Sequence, residues 1–420
     1  MKLLKLLVLL LAVLVFVQMT SPVSAKEEKV SWWKFQSIDV MKYSRDLARE
    51  KINDASFDSV IDKQVKDIAS VGATHIAIGT PYDEEFIPFL TRWVKAARKY
   101  ELSVWFRGNW SGWEGWFEYD DINREDHLKK IPDFIAKHKD LFVDGDIFTT
   151  CPECENGGPG DPRQTGNVEG YRQFLVNEYN SAKNSFAKIG KDITVNFFSM
   201  NADVAKLIMN RETTQKLGGV VTIDHYVKSP EQLATDVDYF AKETGGKVVL
   251  GEFGAPIPDI HGRLSAKEQA EWIEKALGLL AARRENLLGL NYWVSVGGST
   301  QIWSDDGKAT PAVAVIKKYF SPDRNLNLVV KNDFGQPVSN VPVDWMGREY
   351  ETNKSGEVTI PFVSMAATPG SIVVDGVKAG FSRVAISPHL SEVAIPVQIT
   401  KENPGLWYKI QRFFHNIFRR

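Results

Sequence analysis

The sequence predicts an α/β chain: a (β/α)8 barrel, then a small all-β sandwich, then a short amphipathic helix. Three observations predict it. Between residues 30 and 320 a short apolar run, a polar or glycine loop and an amphipathic stretch follow one another eight times. The apolar runs are near-continuous rather than alternating, as suits a parallel sheet buried on both faces. After Phe320 the rhythm changes to short alternating strands broken by turn signals.

The eight expected strands are 33–39, 74–79, 103–107, 146–150, 193–198, 220–224, 248–252 and 289–294. Helical spacing of apolar residues marks 57–71, 86–100, 171–189, 230–244 and 265–285. Ser265 and Glu268 form an S-x-x-E capping box that opens the last of these. Eight such units over nearly three hundred residues have the size of a closed barrel. A doubly wound open sheet is the competing fold, but no G-x-G-x-x-G follows the first strand.

The ends carry different signals. Lys2 and Lys5 precede an unbroken apolar run over 6–17, and Val23-Ser24-Ala25 supplies the small residues of a signal peptidase site. Residues 1–25 are therefore expected to be a cleaved signal peptide, and the mature protein to be secreted or held in the cell envelope. The barrel is assigned to 26–322, the all-β domain to 323–400 and the helix to 401–420. In that last segment Trp407, Ile410, Phe414, Ile417 and Phe418 share one helical face, with Lys409, Arg412, Arg419 and Arg420 mostly elsewhere. Such a helix can lie on an anionic membrane or envelope surface, or pack on its own domain. The formal net charge of −2 leaves no basic footprint for a nucleic-acid partner.

The chain has two cysteines, Cys151 and Cys154, in the stretch DIFTTCPECENGGPG. Two thiols and seven scattered histidines do not supply the roughly four ligands of a structural zinc. A thioredoxin-like centre needs a helix after the motif, and ENGGPGDPRQTGN cannot form one. In an exported protein the pair reads as a candidate disulfide, and no metal is expected.

The chemistry of a barrel sits at the C-terminal ends of its strands. Arg107, Asn109 and Trp110 follow the third strand, and Glu153 and Glu155 the fourth. Asn201 follows the fifth, His225 and Tyr226 the sixth, Glu252 ends the seventh and Trp293 the eighth. Strands 4 and 7 face one another across the mouth, so their carboxylates can flank one bond, as a retaining glycosidase requires. Trp110, Trp113 and Trp116 recur in NWSGWEGW, a spacing that suits sugar platforms in a cleft or core packing.

Over residues 30–320 the sequence resembles the clan A glycoside hydrolases, family 5 in particular. VVLGEFGAP at 248–256 is similar to that family's nucleophile strand and points to Glu252. NYWVSVGGSTQIWSDDGKATPAVAVIKKYF at 291–320 is similar to its eighth strand, with Trp293 as a sugar platform. IDHYV at 223–227 is similar to its sixth, where Tyr226 would hydrogen-bond the nucleophile. The fourth strand departs from the family's Asn-Glu-Pro. Glu153 takes the acid/base position, with Glu155 as the alternative, and Pro152 stands where an asparagine would grip the sugar 2-hydroxyl. Asn201 or Asn156 could take over that contact. The second strand lacks the family's arginine, and Arg107 on the third could position the nucleophile instead. The resemblance implies a retaining hydrolase of a β-linked oligo- or polysaccharide that needs no cofactor. The rival reading is a non-catalytic carbohydrate-binding or cell-surface protein on a degenerate barrel. VVKNDFGQPVSNVPVDW and YETNKSGEVTIPF resemble prealbumin-like or carboxypeptidase-regulatory-like modules, which supports the sandwich reading of that segment alone.

Overall fold

The computed structural model describes residues 32–283, 285–321, 324–331, 336–345, 348–362, 371–374, 377–380 and 392–396. The expected signal peptide and the expected helix at 401–420 lie outside them.

Eight parallel strands form one sheet: β1 (Phe35–Asp39), β2 (His75–Ile78), β3 (Ser103–Phe106), β4 (Ile147–Phe148), β5 (Ser199–Asn201), β6 (Val220–Asp224), β7 (Lys247–Phe253) and β8 (Leu287–Tyr292). Their order is β4-β3-β2-β1-β8-β7-β6-β5. A parallel bridge between Ile147 and Thr194 joins the two ends. There the Phe148 N–H donates to the Thr194 carbonyl at 2.8 Å, and the Thr194 N–H to that of Asp146 at 3.0 Å. The sheet is thereby closed into a (β/α)8 barrel. The outer helices are α1 (Asp58–Ser70), α2 (Ile87–Lys99), α3 (Arg124–Lys137), α4 (Val168–Lys188), α5 (Ala202–Ile208), α6 (Pro230–Thr244), α7 (Ala266–Ala281) and α8 (Pro311–Phe320). They bury their apolar stripes on the sheet: Ile61, Val65 and Ile68 from α1, and Leu90, Trp93 and Ala97 from α2. The capping box of Ser265 and Glu268 opens α7, both of its hydrogen bonds present.

The fifth strand is the one that departs from expectation. Its residues 195–198 lie between the bridge at Thr194 and β5 and are not in strand. The end of β4 and the turn after it reach this stretch and the start of β5. The Thr149 hydroxyl donates to the Phe197 carbonyl at 2.9 Å, and the Glu153 N–H to the Ser199 carbonyl at 2.8 Å.

Side chains alternate along a strand, and that alternation fills the barrel in layers. Phe35, Ala77, Trp105, Ile147, Phe197, Val220 and Val249 form an apolar plug with Leu288 against it, so every strand position contributes. The Phe35 and Phe197 rings stack at 5.1 Å between centroids. Gly289 makes room for them, since a Cβ there would come 2.2 Å from the Phe35 ring. Two and four residues further along the same faces come Ser37 and Asp39, Arg107, Ser199 and Asn201, Thr222 and Asp224, and Asn291 and Trp293. The interior therefore turns polar toward the C-terminal mouth.

Beyond the barrel, β9 (Arg324–Lys331), β10 (Pro342–Trp345), β11 (Arg348–Glu351), β12 (Glu357–Phe362), β13 (Ser371–Val374), β14 (Val377–Gly380) and β15 (Glu392–Pro396) form two sheets, ordered β11-β10-β13-β14 and β12-β9-β15. Among the described residues no helix is long and apolar enough to cross a membrane.

Candidate active site

The mouth of the barrel gathers carboxylates around one guanidinium. Glu252 reaches it because β7 is bulged. Leu250 pairs with Ile223, but Glu252, not Gly251, pairs with Asp224. The extra residue reverses the alternation, so Glu252 faces inward beside Gly251. Bulges commonly re-aim side chains in this way. Gly251 has no Cβ to spare: one would sit 2.2 Å from Asp224 Oδ1.

Arg107 lies just beyond β3 and is fully buried. Its Nη1 donates to Asp39 Oδ2 at 2.9 Å and to Glu252 Oε1 at 3.0 Å. Its Nη2 donates to Ser199 Oγ at 3.1 Å and to Asp224 Oδ2 at 3.2 Å. The Tyr226 hydroxyl donates to the other oxygen of Glu252 at 2.7 Å. Burial, aided by the charges of Glu153 and Asp39 and opposed by Arg107 and the Tyr226 hydrogen bond, pushes Glu252 up to about 7.

Glu153 is presented by a turn. It adopts left-handed backbone, φ 45° and ψ 46°, before the short 3-10 turn Cys154–Asn156. That conformation is costly for a residue with a Cβ, and the surroundings fix it. The Glu153 N–H is bonded to Ser199, the Asn156 N–H donates to the Glu153 carbonyl at 2.8 Å, and a disulfide joins Cys151 to Cys154 around it. The Trp113 indole N–H donates to the Cys154 carbonyl at 3.2 Å. One oxygen from each of Glu153, Asp224 and Glu252 lies within 4.8 Å of the other two. A trio of carboxylates can hold a cation, but here Arg107 already lies against two of its members and supplies the positive charge.

Glu155 is turned elsewhere. It accepts the Asn201 N–H at 2.7 Å, with the Tyr171 hydroxyl of α4 at 3.4 Å from its other oxygen. Burial pushes it up to about 7, against the pull of the Asn201 N–H.

The remaining expected residues divide. Trp293 is half-buried at the rim, edge-on to Tyr226 at 6.1 Å. Asn201 is half-buried on β5, paired in register with Asp224. Trp110 is not a cleft platform. It is 3% exposed and packs edge-on against Tyr82, His127 and Phe134. Its loop folds inward through the short helix Ser111–Glu114. His225 turns to Asp236 of α6, 2.7 Å from its Nε2, away from the mouth. Asn156 is exposed.

Residues not expected in the site also take part. Asp39 and Asp224 end β1 and β6, and the strand-end rule that found Glu252 applies equally to them. Glu114 is half-buried and accepts a hydrogen bond from Asn109 Nδ2 at 2.6 Å. Burial, opposed by that bond and reinforced by the Glu153 charge, pushes Glu114 up to about 8. Behind it Asn109 Oδ1 lies 2.8 Å from His127 Nε2, and His127 Nδ1 lies 3.1 Å from Glu178. Nothing in the sequence signals that buried chain.

No protein-family model matches the chain, and no curated protein does. Among solved structures it is similar to the beta-glycosidase BGL167, at 10% identity over 70% of this chain and 96% of that one, with a TM-score of 0.47. It is similar to fungal beta-1,4-galactanases at 14% identity, over 68% and 99% of the chains, with a TM-score of 0.49. XacCel5A, solved in complex with cellopentaose, is 13% identical over 69% and 99%, with a TM-score of 0.48. Likenesses at this level say nothing about this chain's activity.

Proposed function

We propose that the protein is an exported retaining glycoside hydrolase of a β-linked glycan, with Glu252 as nucleophile and Glu153 as acid/base. One observation carries the reading. Glu153 and Glu252, from opposite strands of the mouth, bring carboxylate oxygens within 4.8 Å of each other. That bound lies below the ~5–5.5 Å separation of retaining pairs and well below the ~6.5–9.5 Å of inverting ones.

In the first step Glu153 protonates the glycosidic oxygen while Glu252 attacks the anomeric carbon. The C–O bond breaks, the aglycone leaves as an alcohol, and a glycosyl ester forms on Glu252. Glu153, now a carboxylate, takes a proton from water, whose oxygen displaces Glu252. When Glu153 carries the proton, its charge no longer raises Glu252, and Arg107 and Tyr226 hold Glu252 ionised. Trp293 offers a flat apolar face beside Tyr226 for the sugar.

The test is hydrolysis of aryl β-glycosides and β-linked polysaccharides by wild type and by Glu252→Ala, Glu153→Ala and Glu155→Ala. The first two should be inactive and the third active. Azide should restore turnover to Glu252→Ala and give a glycosyl azide of inverted configuration. A wild type that hydrolyses no glycoside would remove the reading, and activity in Glu153→Ala but not Glu155→Ala would transfer the acid role to Glu155.

A further inference from the structure

Arg107 is shared by three buried carboxyl groups. The side chains of Arg107 and Asp39 are fully buried, Asp224 is 1% exposed and Glu252 8%. One positive charge does not balance three negative ones on side chains this buried, because an uncompensated buried charge is strongly unfavourable. A proton has to reside in the cluster.

The hydrogen bonds show where. Asp39 is held by three donors: the Met41 N–H at 2.6 Å on Oδ1, and Arg107 Nη1 with Asn291 Nδ2 at 3.1 Å on Oδ2. Glu252 is held by two, Arg107 and Tyr226. Asp224 has one, at 3.2 Å, and among the described residues its buried Oδ1 has no partner. Donors aimed at a carboxyl favour its charged form, and Asp224 has the fewest.

We propose that Asp224 is a positioning residue that carries this proton at working pH, so that the Arg107 charge serves Asp39 and Glu252 and the nucleophile stays ionised. The proposal rests on the glycosidase reading for its purpose, but not for its chemistry. Burial and the carboxylates around Asp224 act in the same sense, against Arg107. Burial drives it well above the usual carboxylate range; the charges of Glu252 on β7 and of Glu153 and Glu155 after β4 add to that, and Arg107 on β3 opposes it. Asp39 reaches it only through Arg107. The neighbouring His225 is turned away to Asp236, and Tyr226 is bonded to Glu252.

The direct test is infrared spectroscopy of the whole protein at neutral pH, read as the difference between wild type and Asp224→Asn so that the raised glutamates Glu252, Glu155 and Glu114 cancel. Wild type should show the carbonyl stretch of a protonated carboxyl that Asp224→Asn lacks. Labelling aspartate side-chain carboxyls with 13C should shift that band in the wild type, so the test stands even if the variant does not fold. Asp224→Asn should also leave the acidic limb of the kcat/KM profile at the pH of wild type, whatever it does to the size of kcat. If Asp224 were instead an ionised partner of Arg107, no band would be lost. Removing its charge would then move the acidic limb to lower pH and weaken the fold. Either result overturns the proposal. A chain that hydrolyses no glycoside would remove the assigned purpose and leave the infrared result to decide the proton.

Discussion

Glu153 and Glu155 are two residues apart, and the backbone gives them different surroundings. Left-handed geometry at Glu153 brings its carboxylate to the mouth, and the 3-10 turn that follows carries Glu155 back toward Asn201 and α4. Glu155 therefore affects stability. Its carboxyl is near 4.3 in an unfolded chain and about 7 here. The unfolded chain loses that proton first as pH rises, so native stability falls between those values. By pH 8 the loss is on the order of 3 kcal/mol. Glu155→Gln keeps an oxygen for the Asn201 N–H and has nothing to ionise. It should melt above wild type at pH 8 and no higher than wild type at pH 4, with hydrolysis retained. A melting temperature below wild type at pH 8 would contradict the assignment.

Elements differ in how legible they were. Seven barrel strands lie where apolar runs and glycine loops place them, because a buried parallel strand needs an apolar run. The fifth lies further along the chain, at 199–201, and the Thr149 hydroxyl at the end of β4 takes the Phe197 carbonyl of the expected run, a tertiary contact absent from local pattern. Glu252 and Tyr226 were readable from GEFG and IDHY. Arg107 was readable as a strand-end arginine, but its partners Asp39 and Asp224 were not sought at the ends of β1 and β6. Trp110 stayed open between two readings because one spacing of tryptophans serves a cleft or a core, and the packing against Phe134 and Tyr82 distinguishes them. The bulge that aims Glu252 was not visible at all. It depends on Gly251, where a Cβ would also come 2.9 Å from Ser199 Cβ and 3.0 Å from Thr222 Cγ2. Gly251→Ala should therefore push Asp224 aside, cost about 1–3 kcal/mol and lower kcat more than it raises KM. Denaturant melts and steady-state kinetics check this, and a variant with wild-type stability and turnover would show that the bulge has slack.

Across the whole molecule, the apolar plug closes the barrel from below and the carboxyl groups collect above it, out of water. Glu252 and Glu155 are raised to about 7, Glu114 to about 8 and Asp224 well above its usual range, each with burial as the largest cause. Carboxyls that are lowered, such as Asp54, Asp62, Glu212 and Glu231, lie at the surface and contribute little, since solvent screens them. The buried set therefore dominates the dependence of stability on pH. For each raised group the native state retains a proton that the unfolded chain has lost, so ΔG of unfolding falls as pH rises from the unfolded value near 4 toward the folded one. The melting temperature should be highest at about pH 4–5 and decline steadily to pH 8. Glu155→Gln combined with Glu114→Gln should flatten the decline without abolishing it, because Glu252 and Asp224 still hold protons that the unfolded chain has lost. Calorimetric melts across that range, on wild type and the double variant, decide it. A wild-type melting temperature that rises from pH 5 to pH 8 would mean that the carboxyls around Arg107 are ionised together, and that something other than a retained proton balances them.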